Sequence, residues 1–200
     1  MKYTILMGSP NRDGNTAALL QPFLETNREL GIKQEVVHLY DKAINPCLGC
    51  KACQDVAGAL GCVQDDDVEE IYRKVLNSDL VVLATPIYSW FCTAPMKALL
   101  DRLIYAGCKY YGQERLGSTL AGKRLMTFVT CGYPPEKGAD LWGAGLLRWC
   151  KHSGMEYLGM YCHRDTGSKE EFMNPRVDAD VRNYAHALYQ TVGQSHKESL

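Results

Sequence analysis

The chain has 200 residues, 46% hydrophobic and 22% charged. That is enough to bury a core without a disulfide scaffold and too apolar for long disorder. Lys plus Arg number 22 and Asp plus Glu 23, for a net charge of −1, which excludes the strongly charged surfaces that mark nucleic acid or anionic membrane as partners. Nine cysteines, an odd count, exclude complete pairing within the chain.

Tyr3 to Met7 is a short apolar run stopped by Gly8-Ser9-Pro10. It predicts a first strand, not a signal peptide, so a cytoplasmic location is expected, where clustered thiols serve metal or redox chemistry. Thr16 to about Leu30 predicts a helix with Leu19, Leu20, Phe23 and Leu24 on one face; Pro22 is expected to kink or shorten it. Gln34 to Tyr40 predicts a second strand, and residues 41–65 a long cysteine-rich loop. Asp66 is placed at the start of the next helix with Glu69 as a capping-box analogue, and Val68, Ile71, Tyr72, Val75 and Leu76 follow at helical spacing. Leu80 to Ala84 is a continuous apolar run, the pattern of a strand buried on both faces of a parallel sheet. The uncharged stretch around it, from Asp79 to Lys97, holds Pro86 and Pro95 and is too broken to span a membrane. Met96, Leu99, Leu100, Leu103 and Ile104 predict a third helix stopped by Gly107. A second long loop, 108–123, precedes a strand over Arg124 to Thr130. Asp140 to Lys151 predicts a helix, Met155 to Cys162 a fifth strand, and Asn174-Pro175 the start of a last helix. Residues 193–200 read as a polar tail.

Strands alternating with helices over 1–200 predict one α/β domain with a parallel sheet. Ligands meet such sheets at the carboxyl ends of the strands. After the first strand, Gly8 to Thr16 is a small polar loop opening a helix, which suits an anion. It is neither a Walker A loop, since Asn15 stands where lysine must be, nor G-x-G-x-x-G. Its hydroxyls and amides suit a phosphate monoester; a plain helix-capping loop is the alternative. After the third strand, Tyr88, Trp90 and Phe91 could line a flat conjugated ligand or pack on a neighbouring loop or subunit. After the fourth, Gly132 lets backbone approach a ligand. Together these loops describe a mononucleotide pocket with a ring system.

Gly8-Ser9-Pro10 through Gly14-Asn15-Thr16, then Ala84-Thr85-Pro86-Ile87-Tyr88 with Lys97 and Asp101-Arg102, then Leu120-Ala121-Gly122-Lys123 leading to Thr130-Cys131-Gly132, resemble the flavodoxin-like NADPH-dependent FMN reductase family over about residues 1–165. The resemblance implies a three-layer fold of strand order 2-1-3-4-5, a homodimer or homotetramer, and bound FMN. It implies the phosphate on Ser9, Asn11, Gly14, Asn15 and Thr16. It implies the isoalloxazine ring against Pro86, Ile87, Tyr88, Ser89 and Trp90 on one side and Thr130, Cys131, Gly132 and Tyr133 on the other.

Cys47, Cys50 and Cys53 form C-x2-C-x2-C, with Cys62 eight residues on. Thiolates so spaced can reach three corners of a [4Fe–4S] cube, the distant cysteine closing it. The loop is similar to that of the iron–sulfur flavoproteins, a branch of the same family, in which the last gap is usually shorter. A cluster, free structural or redox thiols, and zinc all remain open. The acidic run Asp65-Asp66-Asp67 is expected to give such a cluster a low potential. Cys92 and Cys131 fall in the flavin loops; Cys108, Cys150 and Cys162 read as packing residues. No histidine carries a catalytic spacing, and no side chain is assigned catalysis.

The activity implied is an FMN-dependent oxidoreductase taking hydride from NAD(P)H and reducing a small acceptor such as a quinone, a flavin or a metal ion. The alternative is an electron carrier linking FMN, a [4Fe–4S] cluster and a protein such as ferredoxin.

Overall fold

The computed structural model describes residues 1–167 and 169–197. In chain order the elements are β1 (Lys2–Met7), α1 (Asn15–Glu29), β2 (Lys33–His38), α2 (Val68–Leu76), β3 (Leu80–Pro86), α3 (Ala94–Gly107), β4 (Cys108–Lys109), β5 (Gly117–Ser118), β6 (Arg124–Cys131), α4 (Pro135–Gly138), α5 (Asp140–Ser153), β7 (Glu156–Arg164), α6 (Lys169–Phe172) and α7 (Pro175–Lys197). Five parallel strands lie in the order β2-β1-β3-β6-β7, which is 2-1-3-4-5 when only these five are counted. This is the flavodoxin-like arrangement, with its switch of direction at β1 and β3.

The strand period of two sorts the core into two layers. In β1, Leu6 faces the layer formed with α2, α3 and α5, while Tyr3, Ile5 and Met7 face the layer formed with α1 and α7. Both faces of β3 are buried, which is why its sequence is a run and not an alternation. Each large apolar side chain so buried contributes about 1.5–3 kcal/mol.

Four expectations change. Pro22 does not shorten its helix: α1 runs from Asn15 to Glu29, and Pro22 is buried within it. The packing of Leu19, Leu20 and Phe23 offsets the one lost backbone bond. α2 starts at Val68, and no side chain caps it. Asp66 is drawn inward to Arg102 instead, although one carboxylate oxygen still accepts from Val68 N–H at 3.2 Å, and Glu69 pairs with Arg73 rather than closing a box. The second long loop contains the antiparallel β4–β5 ribbon. The tail is helical from Gly193 to Lys197; residues 198–200 lie outside the described residues. Among the described residues no helix is long and apolar enough to cross a membrane.

Candidate functional site

The carboxyl ends of β1, β3 and β6 place three loops side by side. Gly8 N–H donates to Ala84 O at 2.7 Å, and Thr93 Oγ1 donates to Gly8 O at 2.6 Å, so the first loop is fastened to the third strand and its exit. Any Cβ on Gly8 would sit 3.0 Å from Met96 Cε and 3.1 Å from Thr93 Oγ1, so the close approach needs glycine. Ser9 is buried, and its Oγ accepts from Asn11 N–H at 3.2 Å; Asn11 Oδ1 accepts from Asp13 N–H at 3.1 Å. These bonds curl the loop over the start of α1.

That helix start is open to an anion. No side chain caps it, and its first turn holds no acid. Ala18 N–H, bonded to Gly14 O at 3.0 Å, closes the first turn; the amides before it carry the partial positive charge of the helix end. Thr16 is buried, and its hydroxyl lies 2.9 Å from that of Thr130. The bond ties the phosphate-type loop to the end of β6, a pairing across 114 residues that no local pattern announces.

The third-strand loop is a tight turn. Tyr88 N–H donates to Phe91 O at 2.8 Å and Phe91 N–H to Tyr88 O at 3.0 Å. Ser89 and Trp90 between them take φ of 50° and 67°, a left-handed conformation that costs a side-chain-bearing residue on the order of 1–3 kcal/mol. Trp90 stacks on Tyr133 with centroids 6.2 Å apart and planes 9° apart, and its Nε1–H donates to Lys137 O at 3.1 Å. Both rings are exposed, as are Tyr88 and Phe91.

Below them lies a cleft of about 370 Å³ lined by Ile87, Ser89, Trp90, Cys131, Gly132 and Tyr133, all named from the sequence, and by Gly138, which was not. Gly138 and Lys137 come from α4, whose start at Pro134-Pro135 is the signal that could have found it. Pro86 and Thr130 face each other in the β3–β6 register just behind. Tyr88 is not among the lining residues, and neither is Cys92, which is buried in the core. The N–H groups of Ser89, Trp90 and Gly132 donate to no acceptor among the described residues. A Cβ on Gly132 would meet nothing within 4 Å.

Burial disfavours the thiolate form of the cysteines here. Burial pushes Cys131 up, pushes Cys92 up to about 12, and raises Cys162, whose sulfur lies 3.4 Å from that of Cys131. His163 Nε2 is 3.0 Å from Phe172 O, and His152 packs against Tyr110 and Tyr111; neither lines the cleft.

Cys47, Cys50, Cys53 and Cys62 line one separate cavity of about 100 Å³ with Arg102 and Tyr105. Among the described residues no three Cys, His, Asp or Glu side chains converge as metal ligands. The cavity's charge is unusual. Arg102 and Asp66 form an ion pair with each side chain 1% exposed. Arg102 Nη1–H also donates to Asn45 O at 3.4 Å, while Nε and Nη2 are buried with no acceptor, each costing about 1–3 kcal/mol while unsatisfied. Lys109 is 1% exposed, and its ammonium donates to two carbonyls among the described residues, Cys53 O at 2.6 Å and Leu60 O at 3.4 Å. Burial lowers its pKa.

Four cysteines around one cavity are the donor set of a [4Fe–4S] group, and the two unused donors of Arg102, which lines the same cavity, suit its sulfurs; the residues fit the group, although the four sulfurs do not converge in this structure. Within the acidic run, Asp66 is paired with Arg102 and accepts from Asn45 N–H, and Asp67 accepts from Lys42 and from Ala43 N–H.

A family model described as NADPH-dependent FMN reductase matches residues 1–138. The chain is 36% identical over 137 residues to an iron-sulfur flavoprotein of Archaeoglobus fulgidus, covering 68% of this chain and 58% of that one. It is 38% identical over 102 residues to an iron-sulfur flavoprotein of Methanocaldococcus jannaschii, covering 51% of each. The matched part thus spans only half to three-fifths of these relatives. In three dimensions it is similar to an NAD(P)H:quinone oxidoreductase from Methanothermobacter marburgensis, with a TM-score of 0.69, 19% identity, and 94% and 96% of the two chains covered. At that identity the likeness speaks for the fold alone.

Proposed function

Since the chain belongs to the NADPH-dependent FMN reductase family, we propose that it is an FMN-dependent oxidoreductase that oxidises NAD(P)H and reduces a small acceptor, such as a quinone, a flavin or a metal ion. The observation that carries this is the pairing of two sites at one sheet edge. An uncapped, acid-free helix start and an open cleft between two aromatic loops are joined by the Thr16–Thr130 hydrogen bond.

In this reading the phosphate rests on the Gly14–Thr16 turn with Ser9 and Asn11 closing over it. The helix end supplies charge, and the loop supplies donors already curled into place. Pro86 to Trp90 and Thr130 to Tyr133 would hold the ring. When bound, FMN supplies the hydride and electron chemistry. The chain's part is to hold the ring flat, to offer it the unused N–H groups of Ser89, Trp90 and Gly132, and to leave one face open for nicotinamide. Those donors stabilise negative charge on the ring without any side chain changing protonation. No acid–base pair is needed, and none lines the cleft.

The test is FMN uptake followed by NADPH and NADH oxidation with a quinone acceptor. Gly132→Val sharpens it. The added side chain meets no protein atom at Cβ, so the apo fold should keep its unfolding midpoint. FMN affinity should fall at least tenfold, because the branched group projects into the ring's space. Wild-type affinity in that variant would move the ring elsewhere.

A second reading, a carrier passing electrons between FMN, a [4Fe–4S] cluster and a protein such as ferredoxin, is supported by the four-cysteine cavity with the buried Arg102 in its wall. Cys47, Cys50, Cys53 and Cys62 would hold the cluster. Anaerobic reconstitution is expected to give about four irons per chain, and Cys50→Ser to lose them while keeping FMN. Far fewer irons in the wild type would remove this reading and leave the first intact.

A further inference from the structure

Three places hold chemistry beyond the flavin reading: the contact between the Cys131 and Cys162 thiols, the exposed aromatic surface around Tyr105, Tyr111 and His152, and the Arg102 guanidinium at the cysteine cavity. The thiol pair is held protonated by burial, which withholds the thiolate that exchange chemistry requires. Nothing in the structure says what covers the aromatic surface. The Arg102 guanidinium carries an inference further.

Arg102 is fixed from one side only. Nη1 takes Asp66 and Asn45 O, and Asp66 is in turn held by Asn45 N–H and Val68 N–H. The guanidinium is therefore pinned on α3 with its other edge, Nε and Nη2, unsatisfied and buried. Arg102 lines the cavity of the four cysteines; Asp66 does not. A guanidinium presents its donors in a rigid fork, so pinning one edge fixes where the other points.

Resting on the cluster reading above, we propose that Arg102 is a positioning residue of the cysteine site, its free Nε–H and Nη2–H donating to sulfur there and stabilising the more negative, reduced state. Hydrogen bonds to the sulfurs and net charge are what a protein uses to move a cluster's potential. Arg102 thus raises the potential that the acidic run was expected to lower. The couple takes one electron, from dithionite in the test or from reduced flavin in the protein, and no protein bond is made or broken.

The experiment compares wild type with Arg102→Lys and with the double variant Arg102→Gln/Asp66→Asn, each reconstituted anaerobically with iron and sulfide. The lysine keeps the charge and loses the fork; the double variant replaces the pair by two amides and leaves no buried charge alone. Folding is read from far-UV circular dichroism and FMN content, iron is counted, and the cluster is titrated with dithionite and mediators. At the potential where wild type is half reduced, the reduced-to-oxidised ratio should fall about tenfold in the double variant, which is ~59 mV for one electron. It should fall by less in Arg102→Lys. Independently of any variant, reduced wild type labelled with 15N-arginine should show nitrogen coupling in pulsed electron paramagnetic resonance. Unshifted titrations in the variants that fold, or no arginine coupling in wild type, overturn the inference alone. A wild type that takes up no iron overturns the cluster reading and this inference with it.

Discussion

Asp66→Ala should be among the most destabilising single substitutions in the chain, lowering unfolding free energy by about 3–5 kcal/mol. It leaves the Arg102 guanidinium buried without its anion. Against a typical total of about 5–15 kcal/mol, the loss should be plain as a fall in urea midpoint at constant slope. Replacing both partners by amides should cost much less, because no charge is then left alone. The effect has a pH signature. Burial alone would raise the Asp66 pKa, but Arg102 and the N–H groups of Asn45 and Val68 outweigh it and hold the carboxyl below its ordinary value. Its stabilisation is therefore complete above the ordinary aspartate value and is lost as pH falls through the depressed native one. A loss under about 1 kcal/mol at neutral pH, the size of an exposed pair, would show that the pair is solvated.

Asn15→Asp should weaken FMN binding about a thousandfold while leaving the empty protein slightly more stable. The two effects have opposite signs because they share one cause. A carboxylate at an uncapped helix start gains from the macrodipole, about 0.3–1 kcal/mol. The same carboxylate near 4 Å from a phosphate repels it by about 4 kcal/mol at an effective dielectric of 20, which is about a thousandfold in affinity. Asn15→Ala removes a donor without adding charge and should cost ten- to a hundredfold, from about 1.5–3 kcal/mol for one bond to a charged group. Titration of apo-protein by flavin fluorescence, beside a thermal melt, reads both. Equal FMN affinity in Asn15→Asp and wild type would place the phosphate away from this turn.

The sheet order and both helical layers were legible because burial imposes periodicity. Leu80 to Ala84 reads as a doubly buried strand, and Val68 to Leu76 as one face of a helix. The loops at the sheet edge were legible from residue type and from the family's motifs; three of the residues lining the cleft, Ile87, Cys131 and Gly132, stand in those motifs, and Ser89, Trp90 and Tyr133 lie just beyond them. What stayed hidden depends on long-range placement. Thr16 and Thr130 meet only once the sheet is assembled. Lys109 and Gln54 lie in or beside loops with no period, yet both are buried, Gln54 bridging Tyr105 O and Cys108 O with its amide nitrogen and Tyr111 N–H with its oxygen. The acidic run was read by composition, as negative charge; the partners of Asp66 and Asp67, on α3 and in the loop after β2, are set by the assembled fold. Pro22 was read by local rule, and tertiary packing overrode it.

The Ser89–Trp90 turn bears on how such a protein would change under selection. Its two left-handed residues are a reservoir of instability placed where the cleft opens, and nothing in the rest of the sheet requires it. A library of variants screened for heat resistance alone should accumulate Ser89→Gly or Ser89→Asn early, since glycine and asparagine accept that backbone cheaply. A library screened for turnover should keep the aromatic ring at 90, strain included. Divergence between the two lineages at these adjacent codons would mark the turn as a place where endurance and activity compete.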